Sequence, residues 1–196
     1  IYSISWGFNN EDGSYTATIN TLNPLLEKFM SNGRGGKGGI VVAASGNIDN
    51  GFLKKHSENI WPANKTNVIG VIATNPSDKM KSFTGSSETN LSFNKDDGWG
   101  NFWGTNFGGV YDIAAPGTHF ISTDYIGTNG YNNLLSGKSK NNCNGQSLDQ
   151  GYAYFNGTSA SAPVVSGVIA LMLEQNPSLT LTEVSRKLEL GVDKVG

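Results

Sequence analysis

Asn156-Gly157-Thr158-Ser159-Ala160-Ser161-Ala162-Pro163 runs straight into an almost wholly apolar stretch, Val164 to Leu173. That stretch reads as a helix, and Pro163 suits its first turn, where a missing N–H costs little. A serine at this point faces unpaired backbone N–H groups and the positive end of the helix dipole, both of which favour negative charge. Such surroundings suit a nucleophile whose attack creates an oxyanion, and small neighbours let a substrate backbone come close. The same pattern also describes a capped core helix with no chemistry, because Ser and Thr are ordinary N-caps. On these residues alone the two readings stand level.

Upstream, Gly39-Ile40-Val41-Val42-Ala43-Ala44-Ser45-Gly46-Asn47 separates them. Its short β-branched run reads as a buried strand. The strand ends in small residues and then Asn47, at the carboxyl edge where open α/β sheets bind ligands. An Asn amide can donate to a developing oxyanion, although it also forms turns.

At these two motifs the chain resembles the subtilisin-like serine proteases. Gly157 to Pro163 matches their nucleophile signature, and Ala44-Ser45-Gly46-Asn47 matches the segment carrying their oxyanion asparagine. Trp61-Pro62-Ala63 with Asn67 to Ala73 resembles the next family segment, and Asp112-Ile113-Ala114-Ala115-Pro116-Gly117 the one after. Order and approximate spacing agree across essentially the whole chain. Ile1 to Gly7 and Asn32 to Gly38 lean towards the kexin/furin-like branch.

The resemblance implies Ser159 as nucleophile and Asn47 as oxyanion donor. It implies a peptide or protein substrate bound as an added strand between two walls, Ser5-Trp6-Gly7 and Ala44-Ser45-Gly46. Glu58 falls close to the expected floor of the specificity pocket, and Glu11 and Asp12 follow the first wall, where the branch carries acidic residues. Carboxylates there would favour Lys or Arg at the cleaved position. Phe8 to Gly13 departs from the branch's pattern, however, and solvated surface groups are the plainer reading of these acids.

A serine hydroxyl needs a base, usually a histidine oriented by a carboxylate. In subtilisins the order is Asp, then His, then Ser, so both partners are expected ahead of Ile1. His56 lies in a polar stretch without the glycine context of the family's histidine motif, and His119 precedes an expected strand. Neither fits the role. Residues 1–196 therefore read as the C-terminal portion of one subtilisin-like catalytic domain, inactive by itself and partnered by the N-terminal part of the same domain. The alternative is a pseudoprotease, or a binding or scaffold domain using the same cleft.

The formal charge of -2 and the lack of a basic patch argue against a nucleic-acid partner. No apolar run approaches the ~20 residues of a membrane span. Secretion or a cell-surface site is expected from the resemblance alone. The chemistry implied requires no cofactor and no metal; a structural calcium is compatible with Asp96-Asp97-Gly98, though a solvated loop explains those residues as well. Cys143, the single cysteine, is open to a bridge outside the chain or to a free thiol.

Hydrophobic periodicity predicts strands at Ile1–Trp6, Ile40–Ala44, Val68–Thr74, Val110–Ala114 and Phe120–Thr123. Leu22, Leu25, Leu26, Phe29 and Met30 mark a helix face, with Pro24 in its first turn and Gly33 as its stop. The helix after Ser159 is apolar on nearly every side and is expected to be buried. Thr180 and Glu183 form a capping box for a final helix with Val184 and Leu188 inward. Ser86 to Asn106 and Gly127 to Gln150 read as polar insertions, with Trp99, Phe102 and Trp103 either lining an extended substrate cleft or, as such groups more often do, pinning the first insertion to its own domain. The fold class is α/β, a doubly wound and mainly parallel sheet with helices on both faces.

Overall fold

Ile40, Val41, Val42 and Ala43 are fully buried, as befits a strand with neighbours on both edges and both faces. The last three belong to β3 (Val41–Ala44), which pairs in parallel with β1 (Tyr2–Ile4) and β6 (Ile69–Thr74). β6 pairs in parallel with β8 (Ile113–Pro116), so the sheet order is β1-β3-β6-β8. Register is fixed by pairs such as Ser3↔Val42, Val42↔Ile69 and Val71↔Ile113. This computed structural model describes residues 1–49, 57–81, 103–118, 120–126, 129 and 151–193. His56, Asp96, Asp97, Trp99, Phe102, His119 and Cys143 lie outside them.

Among the described residues, three two-stranded antiparallel pairs accompany the parallel sheet. They are β2 (Phe8–Asn9) with β5 (Ile60–Trp61), β4 (Asn47–Asp49) with β7 (Trp103–Thr105), and β9 (Phe120–Thr123) with β10 (Tyr152–Phe155). The predicted polar insertion ending at Asn106 therefore closes on a buried strand. Trp103, Thr105 and Asn106 are all inside; the Thr105 and Asn106 side chains find hydrogen-bond partners there, whereas Trp103 Nε1 is buried without one among the described residues.

α1 (Thr16–Gly36) carries the crossover from β1 to β3. Its helical dihedrals break at Gly33, with Arg34 and Gly35 left-handed, so the predicted stop is where the helix ends. Pro24 is inside the helix rather than in its first turn, since Thr16 starts it eight residues earlier. Met30 is buried and Leu26 and Phe29 pack on the core, whereas Leu25 is exposed. α3 (Leu181–Gly191) opens on the predicted capping box: Glu183 N–H donates to Thr180 Oγ1 at 3.2 Å, and Thr180 N–H donates back to Glu183 Oε2 at 2.8 Å. Val184 and Leu188 are buried beneath it.

α2 (Thr158–Gln175) crosses all four strands of the sheet. Ala162, Val165 and Ile169 enter the core, and complete burial of an aliphatic side chain stabilises by about 1.5–3 kcal/mol. Contrary to the sequence expectation, one side of α2 is bare: Val168 and Leu171 are 46% and 63% exposed. Among the described residues, nothing packs over that side. No helix of these residues is long and apolar enough to cross a membrane.

Candidate active site

The nucleophile candidate owes its position to two glycines. Gly157 caps α2 with φ 109°, and a Cβ there would stand 2.9 Å from Asn47 Nδ2. Only glycine accepts both the left-handed backbone and the close approach. Gly117 lies beneath the helix start, where a Cβ would overlap Ala73 and come within 2.6 Å of Ser161 Oγ. Gly157 N–H donates to the Gly117 carbonyl at 2.8 Å, and Ser161 Oγ to the Ala115 carbonyl at 3.1 Å. The Asp112–Gly117 segment thus forms the seat on which the Ser159 turn rests. At its far end, Asp112 Oδ2 accepts from Gly70 N–H at 2.7 Å.

Ser159, half-buried, is the second residue of α2. Its Oγ donates to the Ser5 carbonyl at 2.9 Å, while Ser5 Oγ donates to the Ser159 carbonyl at 2.9 Å. Pro163 stands in the second turn of α2, not the first. It has no N–H to offer the carbonyl four residues back, and that carbonyl belongs to Ser159. Ser5 takes the vacant place.

Asn47 opens β4, paired with Thr105 across to β7. Its Oδ1 accepts from Thr158 N–H at 2.9 Å and from Thr158 Oγ1 at 3.0 Å. Two donors on Oδ1 fix which end of the amide is which. The donor end, Nδ2, lies against Gly157 at the mouth of the helix. Thr158 Oγ1 also accepts from Gly46 N–H at 3.1 Å. The carboxamide of Asn47 and the hydroxyl of Ser159 are thereby gathered at one helix N-terminus, bridged by the residue between them.

The two expected walls leave the carboxyl ends of neighbouring strands, Ser5-Trp6-Gly7 from β1 and Ala44-Ser45-Gly46 from β3. Ile60 sits between them. A Cβ on Gly7 would lie 2.8 Å from Ile60 Cγ2, and one on Gly46 would lie 3.4 Å from Ile60 Cγ1. Trp6 is largely exposed and meets Phe8 and Trp61 with ring centroids at 5.4 and 6.2 Å; Phe8 stacks on Tyr15. Trp61 Nε1 donates to Asn23 Oδ1 at 2.8 Å, and the Trp61-Pro62 bond is cis.

Glu58 is exposed, and its carboxylate occupies the space a Cβ on Gly108 would need. It stands beside Tyr111, whose phenol donates to the Ser57 carbonyl at 2.9 Å. Burial, and then the Glu58 charge, push the Tyr111 hydroxyl well above the usual phenol range. Glu11 and Asp12 are exposed; Asp12 accepts from Ser14 N–H at 3.0 Å, which holds its carboxyl below the usual range. Among the described residues, Ile60 lies against both wall glycines, while the Glu58 carboxylate lies against Gly108.

Sequence reasoning missed a buried polar cluster behind the second wall. Ser45, Thr105 and Asn106 are wholly or almost wholly buried. Ser45 Oγ is 3.3 Å from Thr105 Oγ1, which donates to the Asn106 carbonyl at 2.9 Å and accepts from Ala73 N–H at 3.0 Å. The available signal was faint: a Thr-Asn pair just after two tryptophans in a glycine-rich stretch. Among the described residues no group of three or more His, Cys, Asp or Glu side chains could hold a metal ion.

Residues 1–190 match the Subtilase family profile. Subtilisin Savinase from Lederbergia lenta is 26% identical over 98% of this chain and 54% of its own length. M-protease from Shouchella clausii (strain KSM-K16) is 27% identical over 95% of this chain and 36% of its own. Proprotein convertase subtilisin/kexin type 9 from Rattus norvegicus is 29% identical over 91% of this chain and 18% of its own. The chain thus spans about half, or less, of the length of these relatives. A cold adapted subtilisin-like serine proteinase of known structure superposes with a TM-score of 0.53 at 22% identity, covering 95% of this chain and 46% of that one. This likeness bears on the fold, which is the α/β subtilisin-like arrangement. With the profile matched over 190 of 196 residues, the chain belongs to the subtilase family.

Proposed function

We propose that this chain carries the nucleophile and the oxyanion donor of a serine endopeptidase, as the C-terminal portion of its catalytic domain. The observation that carries the reading is the double hydrogen bond from Thr158 to Asn47, which holds the carboxamide next to Ser159. Ser159 Oγ attacks a peptide carbonyl as a histidine from outside this chain takes its proton. The oxyanion is held by Asn47 Nδ2 and by the Ser159 N–H, one of the first donors of α2 and without a helical acceptor. The leaving amine departs protonated, and water hydrolyses the acyl-enzyme. No cofactor enters these steps.

The N-terminal part of the same domain is the partner that brings the acid–base pair. The bare side of α2 supports this, since Val168 and Leu171 need an apolar cover. We assign the enzyme to the outside of the cell or its surface, on resemblance. Ile60 favours substrates with small apolar residues at the cleaved position over Lys or Arg.

A fluorophosphonate probe tests the reading. In the full-length protein it labels Ser159 and loses the site in Ser159→Ala; in the isolated chain it labels nothing, for want of a base. No labelling of the full-length protein would leave a cleft used for binding alone. Asn47→Ala in the full-length enzyme lowers kcat with KM nearly unchanged. In subtilisin itself, loss of one such donor costs ~10²–10³ in kcat, a value carried over from that relative.

A further inference from the structure

The geometry points to Asn106 as a positioning residue that sets the oxyanion donor from behind, an assignment resting on the role of Asn47 given above. Asn106 is fully buried. Its Nδ2 donates to the Ser45 carbonyl at 2.8 Å, and its Oδ1 accepts from Ser57 N–H at 2.9 Å. A carbonyl only accepts and an N–H only donates, so these partners dictate the orientation of the amide. Its backbone joins in: Asn106 N–H donates to the Gly46 carbonyl at 3.0 Å, and the Asn106 carbonyl accepts from Ser45 Oγ at 3.2 Å.

Ser45 and Gly46 are the two residues before Asn47. Their backbone is clamped on every side: Ser45 N–H to Val71, Gly46 N–H to Thr158 Oγ1, and both carbonyls to Asn106. Gly46 adopts φ 87°, and a Cβ on it would come within 3.0 Å of Asn106 Nδ2. The turn that delivers Asn47 is thus moulded against this one side chain. The other end of the same amide holds Ser57, ten residues beyond Asn47 and at the start of the segment leading to Ile60. One buried carboxamide therefore ties the turn before Asn47 to the Ser57 segment in a common frame.

Without it, the Ser45 carbonyl and the Ser57 N–H are left buried and unpaired, a costly state that the turn relieves by moving. Movement of Ser45-Gly46 carries Asn47 with it, and a displacement of about 1 Å at a catalytic group is enough to cost ~10²-fold in rate.

A double-mutant cycle on the full-length protease decides the matter, with kcat on a peptide substrate and unfolding by urea measured together. Asn106→Ala lowers kcat about tenfold or more. Placed on Asn47→Ala, it lowers kcat further by no more than about twofold, because its effect passes through a group already gone. Asn106→Asp keeps the shape and the acceptor for Ser57 but loses the donor to Ser45, and gives the same non-additive result. If Asn47→Ala lowers kcat and the two losses multiply, Asn106 acts elsewhere and the proposal falls while the oxyanion reading stands. If Asn47→Ala leaves kcat intact, the oxyanion reading itself falls. Failure of both Asn106 variants to fold assigns the residue to folding and overturns the proposal too.

Discussion

Ser5 Oγ donates to the carbonyl of Ser159 at 2.9 Å, filling the helical bond that Pro163 is unable to make. The first turn of α2 is therefore tied to the end of β1 by a side chain, in place of the backbone rung that an ordinary helix has. Ser5→Ala removes this donor but keeps the Ser5 carbonyl. A net hydrogen bond is worth about 0.5–1.5 kcal/mol, so kcat of the full-length enzyme should fall by up to about tenfold. Steady-state kinetics check it. A change in KM with kcat intact would mean that Ser5 serves the substrate and not the nucleophile.

Ile60 should govern which residue is cleaved after. Its branched side chain fills the gap between Gly7 and Gly46, so Ile60→Gly opens a cavity the size of the lost atoms. Each buried methylene changes a preference by about 0.8 kcal/mol. The variant is expected to gain on Phe and Tyr peptides relative to Ala peptides, with kcat/KM for each as the measurement. An unchanged ranking, or wild-type cleavage fastest after Arg, would contradict this role.

Two aliphatic residues on one helix separate core from margin. Ile169 is 0% exposed and packs in the main cluster; Ile169→Ala should cost about 2–5 kcal/mol in urea unfolding of this chain. Leu171→Ala should be nearly neutral in the same assay. In the full-length protein Leu171→Ala should become clearly destabilising, if the N-terminal part covers it as proposed.

Tyr111 makes a prediction at high pH. The folded protein holds the phenol proton more tightly than the unfolded chain, through burial and then the Glu58 charge. That stability is fully present below the unfolded value of ~10 and is lost as pH rises beyond it. Urea midpoints measured on either side of ~10 should show the loss in the wild type. Tyr111→Phe, which has no proton to release, should lose stability at neutral pH but show a flatter alkaline fall.

The motifs that build the candidate site and cap the last helix were legible because each is local. Gly157 to Pro163, Ala44 to Asn47 and the Thr180/Glu183 box draw their meaning from spacings of a few residues, and the parallel strands follow from β-branched runs. What escaped depends on long-range contact. Asn106 looks like loop composition, since a buried polar side chain with all its partners and a solvated one are spelled alike. Ile60 looks like an ordinary strand residue until Gly7 and Gly46 are brought to either side of it. The apolar sequence of α2 gave no hint of its uncovered side, because hydrophobicity says what ought to be buried and not whether a partner is at hand. Pro24 and Pro163 were both expected in first turns, and in both cases the helix begins earlier.

The uncovered side of α2 bears on how the isolated polypeptide behaves in a tube. Greasy side chains held in water on a rigid rod are adhesive, and contiguous patches of this kind promote association between copies. Samples of residues 1–196 should become turbid or elute early as they are concentrated, and stay disperse when dilute. Light scattering across a dilution series would reveal it, and Leu171→Lys should restore solubility without touching the Ser159 turn.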